Sequence, residues 1–211
     1  MAALVLAATL LVPLLSLNTA NPIQAVMDHY QGIAAYQVTL TSVSGDKTEI
    51  IRYFHKKPGH VRMEFVTPFR GAVLIYDPGT RRAKLWPFGY GRFPGLSLSP
   101  DNSLIQSATG QRVDRSDVGA LYRNVKTLQD QGRLEVMGLE NIGGQEVLRL
   151  TVSGDNGVVV GNVARYQLWL ERGHGFPLKV VSYDKNGRVI ETVEMNQLRV
   201  DPEFPDDFFS Q

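Results

Sequence analysis

Between Tyr36 and Phe88, side chains of alternating character form five successive runs separated by short turn sequences. Tyr36, Val38 and Leu40 alternate with Gln37, Thr39 and Thr41. Ile51 and Tyr53 alternate with Arg52 and Phe54, and Val61, Met63 and Phe65 with Arg62 and Glu64. Two further runs, Ala72–Tyr76 and Ala83–Trp86, flank the turn Asp77-Pro78-Gly79-Thr80. A period of two, punctuated by turn residues, predicts an antiparallel meander with one apolar and one polar face. The apolar face must be covered by a second layer, a lid or a ligand.

The flanking segments predict helices and a second meander. Asn21-Pro22 reads as a helix cap with proline at the first helical position. Ile23, Val26, Met27 and Tyr30 then share one face of a short helix ending near Gly32. From Gly89 to Gln111 the periodicity dissolves, apart from one helical turn expected at Pro100–Gln106. Ser116 reads as the cap of an amphipathic helix bearing Val118, Leu121, Tyr122, Val125 and Leu128, stopped at Gly132. Strand runs resume with Leu134 and Val136, then Leu148, Leu150 and Val152, then Tyr166, Leu168 and Leu170. Leu178–Tyr183 and Arg188–Met195 follow, joined across Asn186-Gly187, a strong hairpin signal. Gly154–Val163 reads either as a loop or as a Gly-interrupted edge strand, and Asp201–Phe209 as irregular. The long aperiodic stretch Gly89–Arg115 is unusual inside a compact domain and is the expected lid.

Asp28 is the first charged residue, and Ala2–Leu17 is apolar apart from Thr9, Pro13 and Ser16. That length suits a secretory signal better than a spanning helix. Residues 1–20 are therefore read as a signal peptide and 21–211 as a single domain; an uncleaved anchor and a buried N-terminal helix are the alternatives. Lys and Arg (22) nearly balance Asp and Glu (21), which leaves no basic surface of the kind nucleic acids need. The absence of cysteine excludes disulfides, thiolate metal sites and a diacyl-Cys anchor, so an exported form would be soluble.

Motifs for chemistry are sparse. His29, His55, His60 and His174 have no metal-ligand spacing, and no Gly-x-Ser-x-Gly elbow marks a nucleophile. Gly89-Tyr90-Gly91 and Gly157–Gly161 lack the context of a phosphate-binding loop. No catalytic residue, metal or cofactor is assigned, and the expectation is a protein that is not an enzyme. What stands out is the inward set Tyr36, Val38, Leu40, Ile51, Tyr53, Val61, Met63, Phe65, Leu74, Tyr76, Leu148, Leu150, Tyr166, Leu168, Leu170 and Met195. It would either fill a packed core or line a hydrophobic cavity.

Three stretches carry a family resemblance: Lys57-Pro58-Gly59-His60-Val61-Arg62-Met63-Glu64-Phe65; Leu74-Ile75-Tyr76-Asp77 with Lys84-Leu85-Trp86; and Gly175-Phe176-Pro177-Leu178-Lys179-Val180 with Tyr183-Asp184-Lys185-Asn186-Gly187. With the closing Asp201–Phe209, they make the chain resemble the outer-membrane lipoprotein carriers of the LolA-like superfamily. The resemblance implies an α+β fold: an open, incomplete antiparallel β-barrel whose mouth is covered by helices acting as a lid, LolA/LolB-like. It also implies a periplasmic protein of a Gram-negative type envelope, holding a lipoprotein acyl chain or another lipid-like ligand. An inner-membrane transporter and an outer-membrane acceptor would be its partners, and a monomer is expected. Lys57 stands where the carriers place an arginine that latches the lid, and lysine lacks that planar fork. A sensory or interaction module of the same fold is the alternative function, and a hydrolase ranks last.

Overall fold

The computed structural model describes residues 21–107 and 110–211; the expected signal peptide lies outside the described residues. The chain opens with helix α1 (Pro22–Gln31), followed by β1 (Ala35–Ser44), β2 (Lys47–Lys56), β3 (His60–Thr67), β4 (Val73–Asp77), β5 (Arg82–Trp86) and a short β6 (Leu96–Leu98). Helix α2 (Val118–Asp130) then leads into β7 (Gly132–Ile142), β8 (Gln145–Gly154), β9 (Arg165–Glu171), β10 (Pro177–Tyr183) and β11 (Val189–Val200). All eleven strands form one antiparallel sheet, in the order β6-β5-β4-β3-β2-β1-β11-β10-β9-β8-β7. The sheet is open, because β6 and β7 end the order and do not pair with each other.

The period-two reading of both meanders holds, with differences at the ends. A three-residue strand, β6, lies inside the stretch expected to be aperiodic, and β11 runs on to Val200. The helical turn expected at Pro100–Gln106 is a 3-10 turn at Ser103–Ile105. Gly154–Val163 is a loop beyond the end of β8, closed by a bridge between Val160 and Val163. The cap of α2 is corrected: Asp117, not Ser116, accepts from the Ala120 N–H at 2.9 Å. Ser116 instead donates to the Val113 carbonyl and meets the Tyr53 hydroxyl at 3.0 Å. Either residue type caps a helix well; the tertiary contact to Tyr53 decides between them. α2 ends at Asp130, and Gly132 begins β7 rather than stopping the helix.

Asn21 caps α1 by accepting from the Gln24 N–H, and Ile23, Val26 and Tyr30 turn inward. In α2, Val118, Tyr122, Val125 and Leu128 are buried at helical spacing. The two helices meet at Gly119, where a Cβ would stand 2.6 Å from the Tyr30 ring, so only glycine lets them approach so closely. The Tyr30 hydroxyl donates to Asp117 at 3.1 Å, and the Tyr122 hydroxyl donates to the Gly175 carbonyl. Rings of Tyr30, Tyr36, Tyr53, Tyr122 and Phe176 pack within 6.3 Å of their neighbours and join helices to sheet. Each such side chain contributes about 1.5–3 kcal/mol by leaving water.

The outer face of the sheet is less polar than the alternation suggests. Val73, Ile75 and Trp86 form one small outer cluster, and Val147, Trp169 and Val181 another. The C-terminal tail lies over the outer side of β2 and β3. Phe208 packs on Phe54 and beneath the Arg62 guanidinium, and Arg62 donates to the Phe208 carbonyl at 2.9 Å. Gln211 closes the tail by donating to the carbonyls of Ile75 and Arg82.

Candidate functional site

A cavity of about 440 Å³ lies between the inner face of the sheet and a roof made by the segment between β6 and α2 together with the first turn of α2. That volume falls within the range of small-molecule and lipid pockets. Its walls come from β1, β2, β3, β5, β9, β10 and β11. The roof supplies Leu104, Ile105, Gln106, Gln111 and Val113, then Ser116, Val118 and Leu121.

Of the sixteen inward residues singled out in the sequence, seven face this cavity: Leu40, Ile51, Tyr53, Met63, Phe65, Tyr166 and Met195. The other nine are Tyr36, Val38, Val61, Leu74, Tyr76, Leu148, Leu150, Leu168 and Leu170. They lie in the continuous core with the helices and do not line the cavity. For Leu148 and Leu150 the division follows from helix placement, because α2 packs on β7, β8 and α1 and fills that part of the concave face with its own side chains.

Four polar residues on the sheet side of the lining were not singled out in the sequence: Ser42, Glu49, Ser182 and Glu191. Each sits at the next inward position beyond an apolar run, after Leu40, before Ile51, after Val180 and before Val193. Continuing the period of two past the last apolar residue would have found them. Glu49 pairs with Ser42 across β2 and β1, and Glu191 pairs with Ser182 across β11 and β10. The Ser42 hydroxyl donates to Glu191 at 2.6 Å across the β1–β11 seam. Burial pushes the Glu191 carboxyl above the usual carboxylate range, and the neighbouring charge of Glu49 adds to the effect against the Ser42 hydrogen bond. Burial likewise pushes the Tyr166 hydroxyl up to about 12.

A second depression opens beside the β2–β3 turn, lined among others by His55, Lys57, Asp114, Asp117 and Arg123. Here the Lys57 ammonium donates to the carbonyls of Tyr30 and Gln31 at 3.0 and 2.7 Å and lies 5.1 Å from the Tyr30 ring centre. The segment it grips is thus α1. His55 is stacked on Tyr36 and buried, which holds its imidazole down at about 4. Among the described residues, no group of three or more His, Asp or Glu side chains is arranged to hold a metal ion.

Comparison with known proteins agrees with this architecture. The family profile described as the MucB/RseB N-terminal domain matches residues 105–211, just over half of the chain. No curated protein matches. Among solved structures, an uncharacterized conserved protein from Thermus thermophilus is 12% identical, with a TM-score of 0.54 over 89% of this chain and 97% of that one. MucB of Pseudomonas aeruginosa, solved with MucA, is 15% identical, with a TM-score of 0.54 over 88% of this chain. The chain spans only 60% of that MucB. LprF from Mycobacterium bovis is 11% identical, with a TM-score of 0.53 over 87% of this chain and 94% of that one. At such identities the likeness is one of fold, and the LolA-like resemblance read from the motifs stands.

Proposed function

Since the chain belongs to the MucB/RseB N-terminal domain family, we propose that it is a binding protein of the cell envelope. It would hold a lipoprotein acyl chain or another lipid-like ligand in the cavity beneath the segment that joins β6 to α2. The observation that carries this reading is the roofed cavity of about 440 Å³, whose walls are mostly aliphatic and aromatic. Apolar transfer drives such binding at about 0.8 kcal/mol per buried methylene, so one chain supplies most of the affinity without covalent chemistry. On this reading residues 1–20 direct export, the mature domain works in the periplasm, and the segment 89–115 opens to load and release.

A second reading, an interaction module that docks an envelope partner, is favoured by the family itself, since the MucB of that fold is solved in complex with MucA. Native mass spectrometry of protein recovered from its own envelope separates the two. The ligand-binding reading expects a bound lipid mass that is released on denaturation. A protein that is always free of lipid but carries a stoichiometric polypeptide would favour the docking module.

A further inference from the structure

The cavity is not uniformly apolar, and its charged groups share one sign. Glu49, Asp117 and Glu191 line it, while no Lys, Arg or His does among the described residues. Asp117 is already engaged, capping α2 and accepting from Tyr30, with the Arg123 guanidinium 3.5 Å away. Glu49 and Glu191 lie at the other end with Ser42 and Ser182, in a layer across four adjacent strands, β2, β1, β11 and β10. Glu191 is 9% exposed and Ser182 5%, yet both border the cavity. Glu191 accepts from Ser42, and the Ser182 hydroxyl has no hydrogen-bond partner among the described residues. Both groups border the cavity, and a desolvated carboxyl is costly to ionise, a cost that falls when a donor arrives.

From this geometry we infer that the layer of Ser42, Glu49, Ser182 and Glu191 is a headgroup site that selects amphiphiles with a primary ammonium, the tail lying along Leu40, Met63 and Leu121. The inference rests on reading the cavity as a ligand site and specifies the chemistry of its occupant. An ammonium has three donors and a positive charge, which matches two carboxyls and two hydroxyls. Burial raises the Glu191 carboxyl, and a docked cation would draw it back down. A carboxylate or phosphate head meets like charge there with no cation to offset it. Such a molecule must keep its head outside or bind weakly.

The test uses the soluble chain from residue 21 onward, loaded with N-phenylnaphthylamine, a neutral apolar fluorophore. Dodecylamine, dodecanol and dodecanoate, each below its micelle concentration, compete for it at pH 7. Dodecylamine should displace the probe at about one tenth the concentration that dodecanoate needs, with dodecanol between them; tenfold corresponds to about 1.4 kcal/mol. Glu191→Gln, which preserves shape, should shrink the gap between amine and carboxylate to about twofold, and Glu49→Gln should shrink it in part. Dodecanoate competing as well as dodecylamine would overturn the inference while leaving the cavity as a binding site. So would a full gap persisting in both folded variants. A protein that takes up no probe at all would remove the binding reading and the headgroup site together.

Discussion

Lys57 holds the carbonyl of Gln31 at 2.7 Å, tying the β2–β3 turn to the last turn of α1. The final carbonyls of a helix lack partners inside it and form the negative end of its dipole, so a cation there satisfies both needs. Lys57→Met keeps the aliphatic stem and removes the charge. It should cost about 1 kcal/mol, seen as a fall of roughly 2–4 °C in thermal denaturation. Lys57→Arg offers a planar fork to the same carbonyls and should slow release of a bound apolar probe. An arginine variant that releases the probe faster than the wild type would show that this turn does not govern release.

The Tyr36 hydroxyl accepts from the Val118 N–H at 3.1 Å, and both groups are buried. That N–H belongs to the first turn of α2, which has no acceptor of its own. Tyr36→Phe should therefore leave a buried donor unmatched and cost about 1–3 kcal/mol. Urea denaturation should show a lowered midpoint with an unchanged slope. An unchanged midpoint would mean that water or another acceptor reaches Val118.

Met63 borders the cavity without being fully buried, so an aspartate there can be tolerated by the fold. Its charge would nonetheless sit among apolar walls at a cost of several kcal/mol to any lipid-like occupant. Met63→Asp should weaken uptake of N-phenylnaphthylamine at least about tenfold, with the far-ultraviolet circular dichroism retained. Leu168 is a poor site for the same experiment, since it is fully buried in the core and its replacement would attack folding.

His55 makes stability depend on pH. Burial keeps its imidazole at about 4 against an ordinary 6.5, with Lys57 and His60 acting in the same direction and Asp117 against them. Between those values the unfolded chain takes up a proton that the folded chain refuses, so stability falls as the pH drops from 6.5 to 4. The span corresponds to roughly 2–3 kcal/mol. Glu191 acts in the opposite sense: its raised carboxyl is destabilising once ionised, and falling pH relieves that cost. Urea denaturation of wild type and His55→Phe across this range isolates the histidine. The wild type should gain on the variant from pH 4 to 6.5 and hold level above. A difference independent of pH would show that His55 titrates as it does in water.

The segment 89–115 contributes Leu104, Ile105 and Val113 to the cavity roof, while Phe93 and Leu104 are largely exposed. Hydrogen exchange along it should be fast in the free protein and slow once the cavity is filled. Equal protection in both states would make it a fixed wall.

Alternation alone identified every strand but β6, because residues such as Val61, Met63 and Phe65 must all face the core once Arg62 and Glu64 face out. It could not say how deep each inward residue would lie. Leu150 and Met195 share the same inward parity, yet the first packs under α2 and the second faces the cavity, a difference set by where a helix from elsewhere in the chain comes to rest. The polar layer was legible in principle. Ser42 and Glu191 continue the inward parity, but a polar residue at a strand end normally reads as solvent-facing. The choice of Asp117 over Ser116 as cap was not legible, since it depends on Tyr53, distant in sequence.

Among the ten ladders of the described residues, nine join strands that follow one another in the chain, and only β1–β11 does not. In that ladder Tyr36 meets Val200, so its formation closes a loop containing nearly the whole domain. Each meander can assemble through short loop closures, while this seam carries the large entropy of a long one. Refolding should therefore form the two hairpin arrays first, with their union at β1–β11 limiting the rate. The same seam makes the fold divisible. A chain cut between β6 and α2 leaves each array whole, and the two pieces should find each other again through the edge that Ser42 and Glu191 bridge.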